Sequence, residues 1–168
     1  LSNIDTCSNP VVLTQEGANQ QSPEGVAVDQ AGNSASAIKT GINIDQTEPS
    51  IVINVPVNLT EYVLAEQVNA NWSTADLLSG VKSESGTVPN GELIDTASAG
   101  DKIFEVSAID FADNSNSLQV AYKVLSPAEA TEKLIGIIQD INLTTPDERS
   151  LNKKLTNALR NISKEKYD

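Results

Sequence analysis

Apolar and polar residues alternate with a period of two over several stretches of the chain, the pattern of strands with one buried face. Val68, Ala70 and Trp72 interleave with polar neighbours, as do Phe104, Val106 and Ala108, and then Leu118, Val120, Tyr122 and Val124. The last two runs flank Asp110 to Ser115, whose Asp and Asn side chains make local hydrogen bonds and suit a turn, so a β-hairpin is expected. Ile38, Thr40, Ile42 and Ile44 alternate in the same way and predict one more continuous strand. From Ser126 the period lengthens. Ser126-Pro127-Ala128-Glu129 combines an N-cap, a proline at the first helical position and a capping-box glutamate. Leu134, Ile137, Ile138 and Ile141 then follow at helical spacing. A second start at Thr145-Pro146-Asp147-Glu148 precedes Leu151, Leu155, Leu159 and Ile162, predicting two helices joined by Asn142 to Thr145.

The strand region contains an internal repeat. Val28-Asp29-Gln30-Ala31-Gly32-Asn33-Ser34 is echoed by Ile109-Asp110-Phe111-Ala112-Asp113-Asn114-Ser115, 81 residues later. Upstream, Leu1-Ser2-Asn3-Ile4 matches Leu78-Ser79-Gly80-Val81, and the first copy is expected to be incomplete at its start. Between the copies lies Ile44-Asp45-Gln46-Thr47-Glu48-Pro49, a short junction stiffened by proline.

The motif Asp-x-Ala-Gly-Asn at Asp29 to Asn33, with Ile-Asp-x-Thr-x-Pro at Ile44 to Pro49, resembles the tandem immunoglobulin-like repeats of secreted and surface-anchored prokaryotic proteins. Ser79-Gly80, Gly86 to Gly91 and Phe104 to Asp110 extend the resemblance over residues 1 to 125. Asp113 stands where that family usually has Gly, so a different turn conformation is expected there. The tail resembles the helical module known as FIMAH, whose third helix would continue past Lys166-Tyr167-Asp168. The resemblance implies a mainly β chain of immunoglobulin-like β-sandwich repeats closed by a C-terminal α-helical hairpin. Its expected parts are 1–49 (the C-terminal part of one repeat), 50–125 (a complete repeat) and 126–168 (the hairpin). It also implies that Cys7 is half of a disulfide whose partner would precede Leu1; a small buried apolar residue is the alternative.

Composition narrows the chemistry. The 168 residues carry 23 acidic and 11 basic side chains, a net charge of −12, with no His, no Met and one Cys. Nucleic acid is a poor partner for such a polyanion. No apolar run is long enough to insert in a membrane. Without His, the usual Ser-His-Asp, Cys-His and zinc sites cannot be built.

Three sharper ideas remain. Asp29, Asp45 and Glu48, or Asp76, Asp110 and Asp113, could offer hard oxygen ligands to calcium near the junction. No EF-hand loop is present, and turn-forming carboxylates on an acidic surface explain these residues more simply, so no cofactor is expected. Trp72 could stack on a sugar ring, but its alternation with Val68 and Ala70 places it in the core. Asp76 and Glu84 could form a glycosidase pair, yet a small sandwich offers no obvious cleft. Sequons at Asn58, Asn71, Asn142 and Asn161 are about as many as this Asn-, Ser- and Thr-rich composition yields by chance. Lys39 and Lys153-Lys154 read as solvated charges. The expected role is a non-catalytic extracellular or cell-surface spacer and interaction scaffold whose partners are neighbouring domains of the same chain, or a cell-surface protein or glycan. The alternatives are an accessory carbohydrate- or protein-binding module of a secreted hydrolase and a calcium-stiffened adhesin segment.

Overall fold

A computed structural model describes residues 2–140 and 145–165. Ile141, the Asn142 sequon, most of the predicted interhelical connection and Lys166-Tyr167-Asp168 lie outside the described residues. In chain order the elements are β1 (Ile4–Cys7), β2 (Gly17–Gln20), β3 (Gly25–Asp29), β4 (Ser34–Ala37), β5 (Ile42–Ile44), β6 (Ser50–Val55), β7 (Thr60–Val63), β8 (Asn71–Ala75), β9 (Val81–Gly86), β10 (Gly100–Asp110), β11 (Ser115–Leu125), α1 (Pro127–Asp140) and α2 (Thr145–Glu165). The chain is mainly β, its strands arranged in several sheets, with a C-terminal pair of helices. It divides into two compact units. One comprises Leu1–Ser50, Thr74–Glu84 and Ala108–Asn116; the other comprises Ile51–Ser73, Ser85–Ser107 and Ser117–Asp168.

In the first unit, β1, β3 and β4 form a sheet of order β1-β3-β4, and β2 pairs with β5. Register sets Cys7 opposite Ala27 and Ala27 opposite Ala35, so small side chains share one row and leave an open groove rather than a filled core. Cys7 is exposed and unpaired, not a buried apolar residue. The strand predicted over Ile38–Ile44 is interrupted: only Ile42–Ile44 is a strand, Gly41 has φ +72°, and Ile38 is exposed. A positive φ removes a residue from the pleat, so the alternation of Ile38 with Ile42 does not become pairing.

The second unit holds the apolar core. Four strands form a sheet of order β7-β11-β10-β9, with β7 parallel to β11, and β6 pairs with β8. Trp72 on β8, Phe104 and Val106 on β10, and Tyr122 and Val124 on β11 are buried together with Ala70 and Ile94. Ile51 and Ile53 on β6 and Tyr62 on β7 pack against them. Trp72 is thus a core residue, as its alternation indicates, and its indole N–H donates to Val88 O at 3.2 Å. The ring crowds Gly86, where an added Cβ would lie 2.9 Å from the indole and 2.7 Å from Val88 O. The Tyr62 and Tyr122 rings meet edge to face at 5.8 Å. The capping box forms as read: Glu129 N–H donates to Ser126 Oγ at 3.2 Å, and Ser126 N–H to Glu129 Oε2 at 2.8 Å. Lys123 pairs with Glu129 at 2.7 Å and Lys133 pairs with Glu61, which ties α1 to β11 and β7.

Candidate functional site

The site is a set of carboxylates in the first unit, built from three loops. Alternation along β10 makes Phe104, Val106, Ala108 and Asp110 all inward. Asp110 is therefore fully enclosed, and it is satisfied locally: Oδ1 accepts from Ala112 N–H at 2.8 Å and Asn114 N–H at 2.9 Å, and Oδ2 from Asn114 Nδ2 at 2.8 Å. Asp76 opens the next loop, and its Oδ1 accepts the N–H groups of Leu78, Ser79 and Gly80 at 2.7 to 3.1 Å. Such convergence of backbone donors stabilises a buried or crowded anion. Asp45 comes from the junction. Its Oδ1 accepts Thr47 N–H at 3.1 Å and its Oδ2 accepts Ser79 N–H at 2.9 Å. One carboxylate oxygen from each of Asp45, Asp76 and Asp110 lies within 4.8 Å of the others.

These loops also clamp the junction. Asn114 Nδ2 donates to Asp45 O at 3.4 Å, Asn116 Nδ2 to Pro49 O at 2.9 Å, and Ser50 Oγ to Ala75 O at 2.8 Å. Glu16 holds it from the other side, accepting from Thr47 Oγ1 at 2.7 Å and Gln46 N–H at 3.3 Å. The Pro49 ring is fully buried. Two open clefts adjoin: one of about 260 Å³ lined by Glu16, Glu48 and Asp76, and one of about 580 Å³ lined by Asn43, Asp45 and Ser79.

The other acidic candidates lie elsewhere. Asp29 repeats the Asp110 turn in the first copy, accepting from Ala31 N–H at 2.9 Å, Asn33 N–H at 2.8 Å and Asn33 Nδ2 at 2.9 Å, with Ser2 Oγ as a further donor at 2.7 Å. Asp113 pairs with Lys82 at 2.5 Å. Glu48 lines a cleft without joining the three converging aspartates. Glu84 accepts from Thr74 Oγ1 and does not pair with Asp76. Asp113 takes φ +68°, the same left-handed region as Gly32 at +82°, so the second turn keeps the shape of the first despite losing its glycine. Aspartate tolerates that region better than most residues. The Asn33 side chain, followed by the Ser2 hydroxyl, lowers the Asp29 pKa to about 2. Hydrogen bonding from Ser79, followed by Thr47, holds Asp45 below the usual carboxylate range.

Chemically, three aspartates supply hard oxygens of the type that calcium or magnesium selects. Their donor partners leave Asp76 Oδ2 without a hydrogen bond among the described residues. Sequence reasoning placed Asp45 with one group and Asp76 and Asp110 with another; the structure brings these three together.

No protein-family model and no curated protein matches the chain. Among solved structures, fibronectin(III)-like modules of CbhA from Clostridium thermocellum align with a TM-score of 0.39 and 16% sequence identity over 66% of this chain. The aligned part spans 65% of that chain, slightly under two thirds of its length. Among the described residues no helix is long and apolar enough to cross a membrane.

Proposed function

We propose that the chain is a non-catalytic spacer and interaction scaffold of a secreted or surface-displayed protein, with residues 1–49, 50–125 and 126–168 as successive modules. The observation that supports it is the clamped junction. Asp45 to Ser50 is held by hydrogen bonds to Glu16, Ala75, Ser79, Asn114 and Asn116, which is what a spacer of fixed geometry needs and a flexible tether lacks. Backbone ¹⁵N relaxation tests it: order parameters near 0.85 are expected throughout Asp45–Ser50, and values under about 0.6 there would sink the proposal. An accessory carbohydrate-binding role finds no support in Trp72, because its ring is packed in the core.

A second reading is favoured by the convergence of Asp45, Asp76 and Asp110: a divalent cation, calcium by donor type, stiffening the same junction as in an adhesin segment. A ligand that prefers the native state raises its stability, by about 2.7 kcal/mol at a hundredfold excess over Kd. Millimolar calcium is therefore expected to raise Tm in the parent chain, with reversal by chelator and no rise in Asp76→Asn. An equal rise in the variant would place calcium elsewhere.

A further inference from the structure

Charge is segregated along the sequence. Residues 1–140 hold 19 acidic and 5 basic side chains, whereas residues 141–168 hold 4 acidic and 6 basic ones. The bases of the two regions also live differently. Lys82, Lys102, Lys123 and Lys133 are each ion-paired, so four of the five bases before residue 141 are neutralised. On α2, Arg149, Lys153, Lys154, Arg160 and Lys164 are all exposed and have no ion pair among the described residues; all but Lys154 share one face.

Their spacing puts them in one line. At 3.6 residues per turn, positions 149, 153, 160 and 164 fall within about 60° of the helix circumference and extend about 22 Å along the axis. Thr156 lies among them, while Asp147 and Glu148 fall outside the line. Leu151, Leu155, Leu159 and Ile162 occupy the opposite side. The arrangement is not one the isolated helix favours. Arg149 with Lys153, and Arg160 with Lys164, are like-charge pairs at i,i+4, each mildly destabilising. Only Lys164 is in the last turn, where the helix dipole welcomes a cation. A bound anion would relieve both repulsions.

We infer that this face of α2 is a docking surface for a carboxylated polysaccharide lying along the helix. Arg guanidinium groups match carboxylates in a bidentate fork, and Asn157 beside the line offers an amide to sugar hydroxyls. Successive cations are about 6, 10 and 6 Å apart along the axis. A nucleic-acid strand carries a charge every ~3.4 Å, denser than the line can match, and the face has no aromatic ring on which bases could stack. A lipid surface fits poorly, because the apolar side of α2 faces away from the cations and an interfacial helix must bury it. The inference stands apart from the spacer reading and would survive its failure.

The test is binding of the full chain to polygalacturonate, with neutral dextran, duplex DNA and phosphatidylserine vesicles as the other arms. Expected are binding to polygalacturonate at low ionic strength, its decline as salt rises, and a loss of about tenfold or more in R149Q/K153Q/R160Q/K164Q. K153Q/K164Q should fall between, and K82Q/K102Q should match the parent. Glutamine keeps helix propensity, so far-UV circular dichroism should be unchanged. No binding at low salt, undiminished binding by the fourfold variant, or preference for DNA or vesicles would each overturn the inference.

Discussion

The two units are held together by different physics. In the second, side chains from β6, β7, β8, β10 and β11 converge on Phe104, Val106 and Val124, none of which retains any exposure. In the first, Ala108 is the only buried hydrophobic residue of the core set among the described residues, and Ile4, Val11, Val12, Val26 and Ile38 are exposed. Order there comes from turns: Asp29 and Asp110 each organise four following residues, and Asp76 gathers three backbone N–H groups. Local hydrogen bonding can thus build the same turn twice, once on an enclosed aspartate and once on a more open one.

Truncating the core should show the contrast most strongly. Phe104→Ala is expected to cost about 3–5 kcal/mol in urea unfolding, because the ring is fully enclosed and a cavity remains. Val26→Ala, on the open sheet, should cost about 0.5 kcal/mol or less; equal losses would mean that the open face is covered in solution.

The two aspartate turns provide the next comparison. Asp110→Ala strands enclosed donors and is expected to cost about 2 kcal/mol, whereas Asp29→Ala leaves its donors open to water and should cost less. Reversed magnitudes would show that the first turn carries more of the fold than its exposure implies.

Acid should separate the units most gently. The Asp29 pKa lies near 2, below its ordinary 3.8, so its contribution is complete above about pH 4 and is lost as the pH falls towards 2. Asp45 shifts in the same direction. Amides of Ala31, Asn33 and Thr47 are expected to lose exchange protection in that window while those of Phe104 and Val106 keep theirs. Simultaneous loss would mean that the units unfold as one.

What the sequence reveals follows from this division. Period-two alternation exposes Trp72, Phe104, Val106, Tyr122 and Val124 as core because a one-sided strand has no other way to hide them. The capping box at Ser126 and Glu129 is equally legible, since its partners are three residues apart. The break before Ile42 was hidden: alternation reports which face a side chain prefers, not whether Gly41 leaves the pleat. The meeting of Asp45, Asp76 and Asp110 was hidden too. Each reads as an ordinary turn former, and only the packing of three loops from distant parts of the chain brings them together.

The parallel pairing of β7 with β11 sets Thr60 beside Tyr122 and Val63 beside Leu125. The hairpin of β10 and β11 closes over a few residues, but this contact bridges about sixty, and long-range closure is the slow step of folding. A ribosome delivers the chain from its N-terminal end. The edge strand β7 must therefore wait, backbone unpaired, until the chain through Leu125 has been made, and the sandwich completes its sheet only as the first helix begins to appear.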